Sequence, residues 1–189
     1  MTKDALRKIY KAKRKELDGH DRLRMDDLML IQFQQFDFSS IQTLLTYWPI
    51  SGQAEPNTHL FSGYLRHMVP GLNIAYPVSD QETGIMTAHL IDEDTVYTVN
   101  NWGITEPPAT APLQPTDMDL IFVPMLICDM QGYRVGYGKG FYDHYLQQCR
   151  TDAVTIGFSY FDPIPLISDT HEFDVPLNYC ITPNEVYEF

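Results

Sequence analysis

The sequence predicts an α/β protein, with an open, mostly parallel sheet flanked by helices in a single domain spanning residues 1–189. Three observations point there. Short apolar runs suited to buried strands alternate with stretches of helical periodicity. The connections between them are short. A glycine-rich stretch, Gly132 to Gly140, follows one of the apolar runs, and open sheets of this class bind ligands at the carboxyl ends of their strands. At 189 residues the chain can bury one core without disulfides or a structural metal.

The elements follow in order. Lys3 to Leu17 is expected to be a helix, with Thr2 as N-cap, Asp4 in the first turn and Gly19 as its end. Lys3 and Arg7 are four apart and share a face, with Arg14 two turns beyond Arg7; by spacing alone this is a solvated basic face. A second helix, Asp21 to Phe36, carries the stripe Met25, Leu28, Met29, Gln32, Phe33 and Phe36, which suits core packing. Thr43 to Ile50 is the first central strand. After it comes Glu55-Pro-Asn-Thr58, a loop carboxylate followed by Asn57 or Thr58 as N-cap of a helix to Met68.

Leu72 to Val78 is the next strand. Ile85 to Ile91 and Val96 to Val99 are expected to pair as an antiparallel excursion around Asp92-Glu-Asp94. Trp102 lies in Asn101-Trp-Gly-Ile-Thr-Glu-Pro107, where an indole serves either as a stacking surface for a flat heterocycle or as a core plug. Thr105 to Thr116, with four prolines, is a loop. Leu120 to Val123 is a buried strand closed by Pro124, and Ala153 to Phe158 is another. Tyr179 to Thr182 is expected to be the last strand, and His171, in the preceding loop, to face solvent.

Composition narrows the function. A formal charge of −12 and no apolar run of spanning length argue against nucleic-acid and membrane partners. Met1-Thr-Lys-Asp lacks the pattern of a secretory signal, and Cys128, Cys149 and Cys180 lack metal-ligand spacing. They fit three small buried hydrophobes in a reducing, cytoplasmic setting. Of 13 lysines and arginines, seven lie in the first 15 positions and two more, Arg134 and Lys139, in the glycine-rich stretch. An acidic chain that gathers its cations this way suits a small polyanion.

The stretch Gly132-Tyr-Arg-Val-Gly-Tyr-Gly-Lys-Gly140 lets backbone N–H groups approach an anion, and Phe141, Tyr145 and Leu146 share a face of the helix after it. It is neither a Walker A loop nor a dinucleotide fingerprint. With Phe141-Tyr142-Asp143 after it and Pro124 and Asp129 before it, the stretch closely resembles the signature of the 5-formyltetrahydrofolate cyclo-ligases (5,10-methenyltetrahydrofolate synthetases). Lys3-Asp-Ala-Leu-Arg7 with Arg14, Glu55-Pro-Asn-Thr58 and the Trp102 segment match further family motifs.

The resemblance implies ATP bound by Lys3, Arg7, Arg134, Gly136, Tyr137, Gly138, Lys139, Gly140 and Tyr142, with Lys139 and Arg134 serving catalysis. It implies 5-formyltetrahydrofolate against Glu55, Trp102 and Tyr142, and magnesium on Asp143 and Asp174. It implies no nucleophilic side chain, and the enzyme is expected to act as a monomer. Cys128 replaces the family's usual phenylalanine, His144 its arginine, and Asn178 the second carboxylate of its Asp-x-x-x-Asp ending. Two other functions are open at this point. A non-catalytic reduced-folate-binding protein needs Glu55, Trp102 and Tyr142 but not the cations, and a phosphotransferase on another small amide or sugar needs the glycine loop but not Trp102.

Overall fold

The computed structural model describes residues 1–50 and 52–189. α1 (Lys3–Glu16) begins behind the expected cap, the Thr2 hydroxyl accepting from the Ala5 N–H at 3.4 Å. Gly19 does not end this helix. Leu17 closes it, and Asp18 caps α2 (Gly19–Phe33), its carboxylate accepting from the Asp21 N–H at 2.7 Å. α2 therefore starts earlier than the expected Asp21, because a well-placed Asp cap outweighs the conformational cost of glycine in a first turn, and it stops short of Phe36, the Gln35 and Phe36 N–H groups bonding three residues back in tight turns.

β1 (Thr43–Leu45) is shorter than expected, and residues 46–50 leave the sheet. The carbonyl of Tyr47 instead accepts from the Thr58 hydroxyl at the start of α3 (Thr58–Met68); Asn57 is the capping residue by position but makes no side-chain cap. Then come β2 (Asn73–Ser79), β3 (Met86–Leu90), β4 (Thr98–Val99), β5 (Thr105–Glu106) and β6 (Leu120–Phe122). β7 (Ile127–Cys128), β8 (Arg134–Val135), α4 (Phe141–Leu146), β9 (Val154–Phe158), β10 (Tyr179–Ile181) and β11 (Val186–Glu188) complete the chain.

The central sheet has seven strands in the order β11-β10-β9-β6-β1-β2-β3. The five inner strands are parallel, and β3 and β11 close the edges antiparallel. Two expectations change. β3 pairs with β2 rather than with residues 96–99, and β4 pairs with β5 in a separate small hairpin. Asp80 explains the first, because its carboxylate accepts from the Glu82 and Thr83 N–H groups and so tightens the β2–β3 turn. Tyr179 to Thr182 is not the last strand either. The Thr182 hydroxyl accepts from the Asn184 and Glu185 N–H groups and turns the chain into β11.

β1 has β2 on one side and β6 on the other, so the chain departs in opposite directions beyond their carboxyl ends. That divergence opens a crevice. Apolar layers pack both faces of the sheet. On one face Phe33 lies with its ring centroid within 4.6–5.8 Å of Phe38, Phe61, Phe122 and Phe158, and Phe61 stacks on Phe158 at 4.0 Å. The α2 stripe is narrower than predicted: Met29 and Phe33 are buried, whereas Leu28 is 36% exposed. The other face holds Met118, Val123, Met125, Tyr145 and Leu146 beside Cys128 and Cys180; Cys149, expected to be buried, is only half so. Leu6 and Tyr10 pack α1 onto Leu126, Ile127 and Val135. Among the described residues no helix is long and apolar enough to cross a membrane.

Asp26 is a buried acid within this framework. Its Oδ1 accepts from the Tyr160 hydroxyl at 3.0 Å and the Asn57 N–H at 3.3 Å. Burial outweighs these bonds and lifts its carboxyl from 3.8 to about 6. A raised acid stabilises the fold below its unfolded pKa, and that contribution is lost as pH rises through about 6. At neutral pH the cost is about 3 kcal/mol. Asp26→Asn keeps a carbonyl acceptor without the charge. It is expected to raise the melting temperature at pH 7 and to remove the decline between about pH 4 and 6. A variant less stable than the parent at pH 7 contradicts this reading.

Candidate active site

The site is assembled on the β7–β8 hairpin. Asp129, fully buried, accepts from the Gln131 and Tyr133 N–H groups across the turn and from Ile167 N–H at 2.9 Å. Gly132 sits in that turn at φ +82°, where a Cβ would meet the Leu177 carbonyl at 2.9 Å, so only glycine fits. The hairpin delivers the chain at Gly136, from which residues 136–140 run to α4. α4 has only six residues, so the anion-binding capacity expected here rests on the loop N–H groups and their cations more than on a helix dipole.

Arg7 reaches the loop from α1. Its Nε donates to the Gly136 carbonyl at 2.9 Å, and a Cβ on Gly138, which has φ +93°, would meet the guanidinium carbon at 3.2 Å. Absence of a side chain at Gly138 lets the arginine lie against the backbone. Lys3 lies on the same face of α1, and its Nζ pairs with Asp174 Oδ1. Asp174 also accepts from the His171 N–H through Oδ2. Burial works to raise this carboxyl, but Lys3 and His171 together hold it below the usual carboxylate range. His171 is exposed as expected, with Nε2 3.6 Å from Asp174.

Arg134 is more deeply placed than a solvated loop cation. It is buried, donating through Nη1 to the Val175 carbonyl and through Nη2 to Asp143 Oδ1 at 2.7 Å. Burial pulls its guanidinium below its ordinary pKa and Asp143 opposes that. Asp143 Oδ1 also accepts from the Val175 N–H at 3.1 Å, which brings Asp143 beside the segment holding Asp174. Lys139 contacts the Trp102 ring instead, its Nζ 5.0 Å from the centroid. Trp102 is 40% exposed, so it is not a core plug; its ring is tilted against Phe141 at 6.4 Å.

The remaining wall comes from the segment leaving β1. Glu55 is buried and both its oxygens are engaged: Oε1 accepts from the Tyr137 hydroxyl and Oε2 from the Ile50 N–H. Burial raises its carboxyl, against the bonds from Tyr137 and Ile50 and the charge of Arg14. Tyr142 brings a buried hydroxyl that has no hydrogen-bond partner among the described residues. Burial and the Glu55 charge push its phenol far up, so it remains a neutral donor. Every residue nominated from the sequence lines one cleft of about 470 Å³, including Asp143 and Asp174. That size suits a small organic ligand.

Sequence reasoning left one residue out. Arg14 matches the family pattern yet was given no role; it is buried, donating through Nη2 to the Met125 carbonyl and through Nη1 to the Tyr137 hydroxyl at 3.2 Å. Its position in register with Leu6 and Tyr10, both buried, is the signal that could have found it.

A sequence profile of the 5-formyltetrahydrofolate cyclo-ligase family matches residues 1–183. Among curated proteins, the 5-formyltetrahydrofolate cyclo-ligase of Mycoplasma genitalium is 25% identical over 182 residues, covering 94% of this chain and 97% of that protein. The cyclo-ligase of Haemophilus influenzae is 33% identical over 87 residues, 44% of this chain and 46% of that protein. Among solved structures, the 5,10-methenyltetrahydrofolate synthetase of Aquifex aeolicus superimposes with a TM-score of 0.81 at 26% identity. That match covers 100% of this chain and 93% of the other. The synthetase of Mycoplasma pneumoniae gives 0.74 at 25% identity, covering 97% and 99%.

Proposed function

The chain belongs to the 5-formyltetrahydrofolate cyclo-ligase family, and on that premise we propose that it converts 5-formyltetrahydrofolate and ATP into 5,10-methenyltetrahydrofolate, ADP and phosphate. The observation that carries this reading is that one cleft is lined by two chemistries, a cationic glycine loop together with Glu55, Trp102 and Tyr142. A phosphotransferase on a different substrate has no use for the aromatic side, and a binding protein has no use for the cations. The whole chain acts as one domain, as a monomer, in the cytoplasm.

A formamide oxygen is a poor leaving group and must be activated. In this reading the formyl oxygen attacks the γ-phosphorus and ADP departs. N10 then attacks the formyl carbon, loses its proton, and phosphate leaves with the former formyl oxygen. The protein supplies position and charge and no covalent partner. The loop N–H groups from Gly136 to Gly140, with Lys3, Arg7 and Lys139, hold the phosphates, and Tyr137 and Tyr142 border them. Arg134 fixes Asp143 and adds charge from beneath the loop. Glu55, Trp102 and Tyr142 hold the pterin.

Asp143 and Asp174 suit a sparse magnesium site. Asp143 makes its described contacts through Oδ1 alone, which leaves its second oxygen for a cation. Asp174, whose Oδ1 pairs with Lys3 and whose Oδ2 accepts from the His171 N–H, would be the second carboxylate to hold the ion. Magnesium takes one or two carboxylates beside phosphates and neutralises their charge.

Substrate carrying ¹⁸O in the formyl group tests the mechanism. Label is expected in the released phosphate, and label in water instead contradicts phosphoryl activation. The loop makes a separate prediction. Gly138→Ala strains φ +93° and pushes on Arg7, so the Michaelis constant for ATP is expected to rise roughly tenfold with that for folate little changed. Unchanged ATP kinetics contradict the role of the loop.

A further inference from the structure

Arg14, only 1% exposed, is the bulkiest fully buried side chain among the described residues, and phosphate binding does not use it. A buried cation costs several kcal/mol unless a counter-charge compensates it. On a face shared with Leu6 and Tyr10, a methionine would pack without that cost. Among the described residues the guanidinium makes no direct ion pair. Its Nη1 donates to the Tyr137 hydroxyl at 3.2 Å, and that hydroxyl donates in turn to Glu55 Oε1, so cation and carboxylate are separated by one phenol. Nη2 is fixed on the Met125 carbonyl, while Nε has no partner among the described residues.

Resting on the function proposed above, we infer that Arg14 is a positioning residue for the folate side of the cleft, holding Glu55 ionised and in one orientation through the Tyr137 hydroxyl. The groups facing Glu55 come from four elements: Arg14 on α1, Tyr47 and the Ile50 N–H after β1, Tyr137 in the glycine loop and Tyr142 on α4. Of these Arg14 supplies the positive charge. The three phenols are all held neutral by burial, so they donate or accept a hydrogen bond but cannot balance a carboxylate's charge. Without Arg14 the buried Glu55 loses the one positive charge that offsets its burial, which favours its protonated form, and a proton on Oε1 would turn that oxygen from acceptor to donor. The arrangement also links the two halves of the cleft, because Tyr137 belongs to the phosphate loop and Glu55 to the pterin wall.

The test measures the Glu55 carboxyl in ligand-free protein by side-chain ¹³C NMR, the resonance being assigned by its absence in E55Q. In R14M and in Y137F the Glu55 titration is expected to move up by about one pH unit or more, with R14K in between. The Michaelis constant for 5-formyltetrahydrofolate should rise roughly tenfold in R14M while that for ATP holds within about twofold, and R14M should add little in an E55Q background. An unchanged Glu55 titration overturns the inference, as do equal rises in both constants or losses that multiply in the double variant. If R14M does not fold, the Y137F and R14K titrations decide. Because the titration needs no substrate, a parent that forms no methenyl product overturns the proposed function and leaves this test standing.

Discussion

Lys139→Ala is expected to lower turnover by about 10²-fold, the loss that follows removal of one preorganised charge donor from a phosphoryl transfer site. Lys139 is exposed at the rim of the cleft, and its contact is with the Trp102 ring across the opening. An exposed cation over one indole is worth about 0.5–1 kcal/mol, so the substitution leaves the melting temperature nearly unchanged. The same ammonium has no hydrogen bond or ion pair among the described residues, whereas Arg134 is held by Asp143 and Val175, and Arg7, from α1, by Gly136. It can therefore follow charge as it develops on the transferred phosphoryl group. Unaltered turnover in a folded Lys139→Ala variant removes Lys139 from catalysis.

The second large effect is expected at Glu55. Glu55→Gln preserves shape and volume but replaces one carboxylate oxygen by an amide NH₂. Both oxygens of Glu55 accept hydrogen bonds from the protein, one from the Tyr137 hydroxyl and one from the Ile50 N–H. The amide NH₂ therefore either opposes the Ile50 N–H or takes from the Tyr137 hydroxyl the acceptor for its proton, and an unsatisfied buried group costs about 1–3 kcal/mol. The Michaelis constant for 5-formyltetrahydrofolate is expected to rise by roughly 10- to 10²-fold, with that for ATP little moved. Binding titrations in which ATP weakens more than folate would place Glu55 on the nucleotide side.

Much of this site was legible because its chemistry is local in sequence. The glycines at 132 and 138 occupy positive φ, Thr2 caps α1, and Pro124 follows the end of β6, all inferences that use only a few neighbouring residues. Lys3 and Arg7 were readable as a pair because four residues make one helical turn. What failed was pairing across distance. The antiparallel edge formed by β2 and β3, the small β4–β5 hairpin and the final β11 depend on turn bonds made by Asp80, Asn100 and Thr182 respectively. Apolar periodicity carries no such information. At Gly19 one local signal was misjudged against another: Asp18 was available as a cap, and it starts α2 there.

The charges of the site were less legible than its residues. Arg134 and Lys139 read alike as loop cations, yet one is buried against Asp143 and the other is exposed. Burial depends on the 174–175 segment, more than thirty positions away, crossing over the loop. Glu55 read as an ordinary loop carboxylate, and its partner Tyr137 lies 82 positions downstream. Arg14 read as part of a solvated basic face although its helical register with Leu6 and Tyr10 pointed inward. In each case spacing gave the residue and only the fold gave its partner.

The claim on which the rest depends is that this cleft joins ATP to 5-formyltetrahydrofolate. Formation of 5,10-methenyltetrahydrofolate can be followed by its absorbance in purified protein supplied with 5-formyltetrahydrofolate, with ATP present and with ATP left out. Product is expected only with ATP, accompanied by one phosphate for each methenyl group formed. Product at the same rate without ATP, or phosphate release from ATP with no methenyl product, contradicts the account.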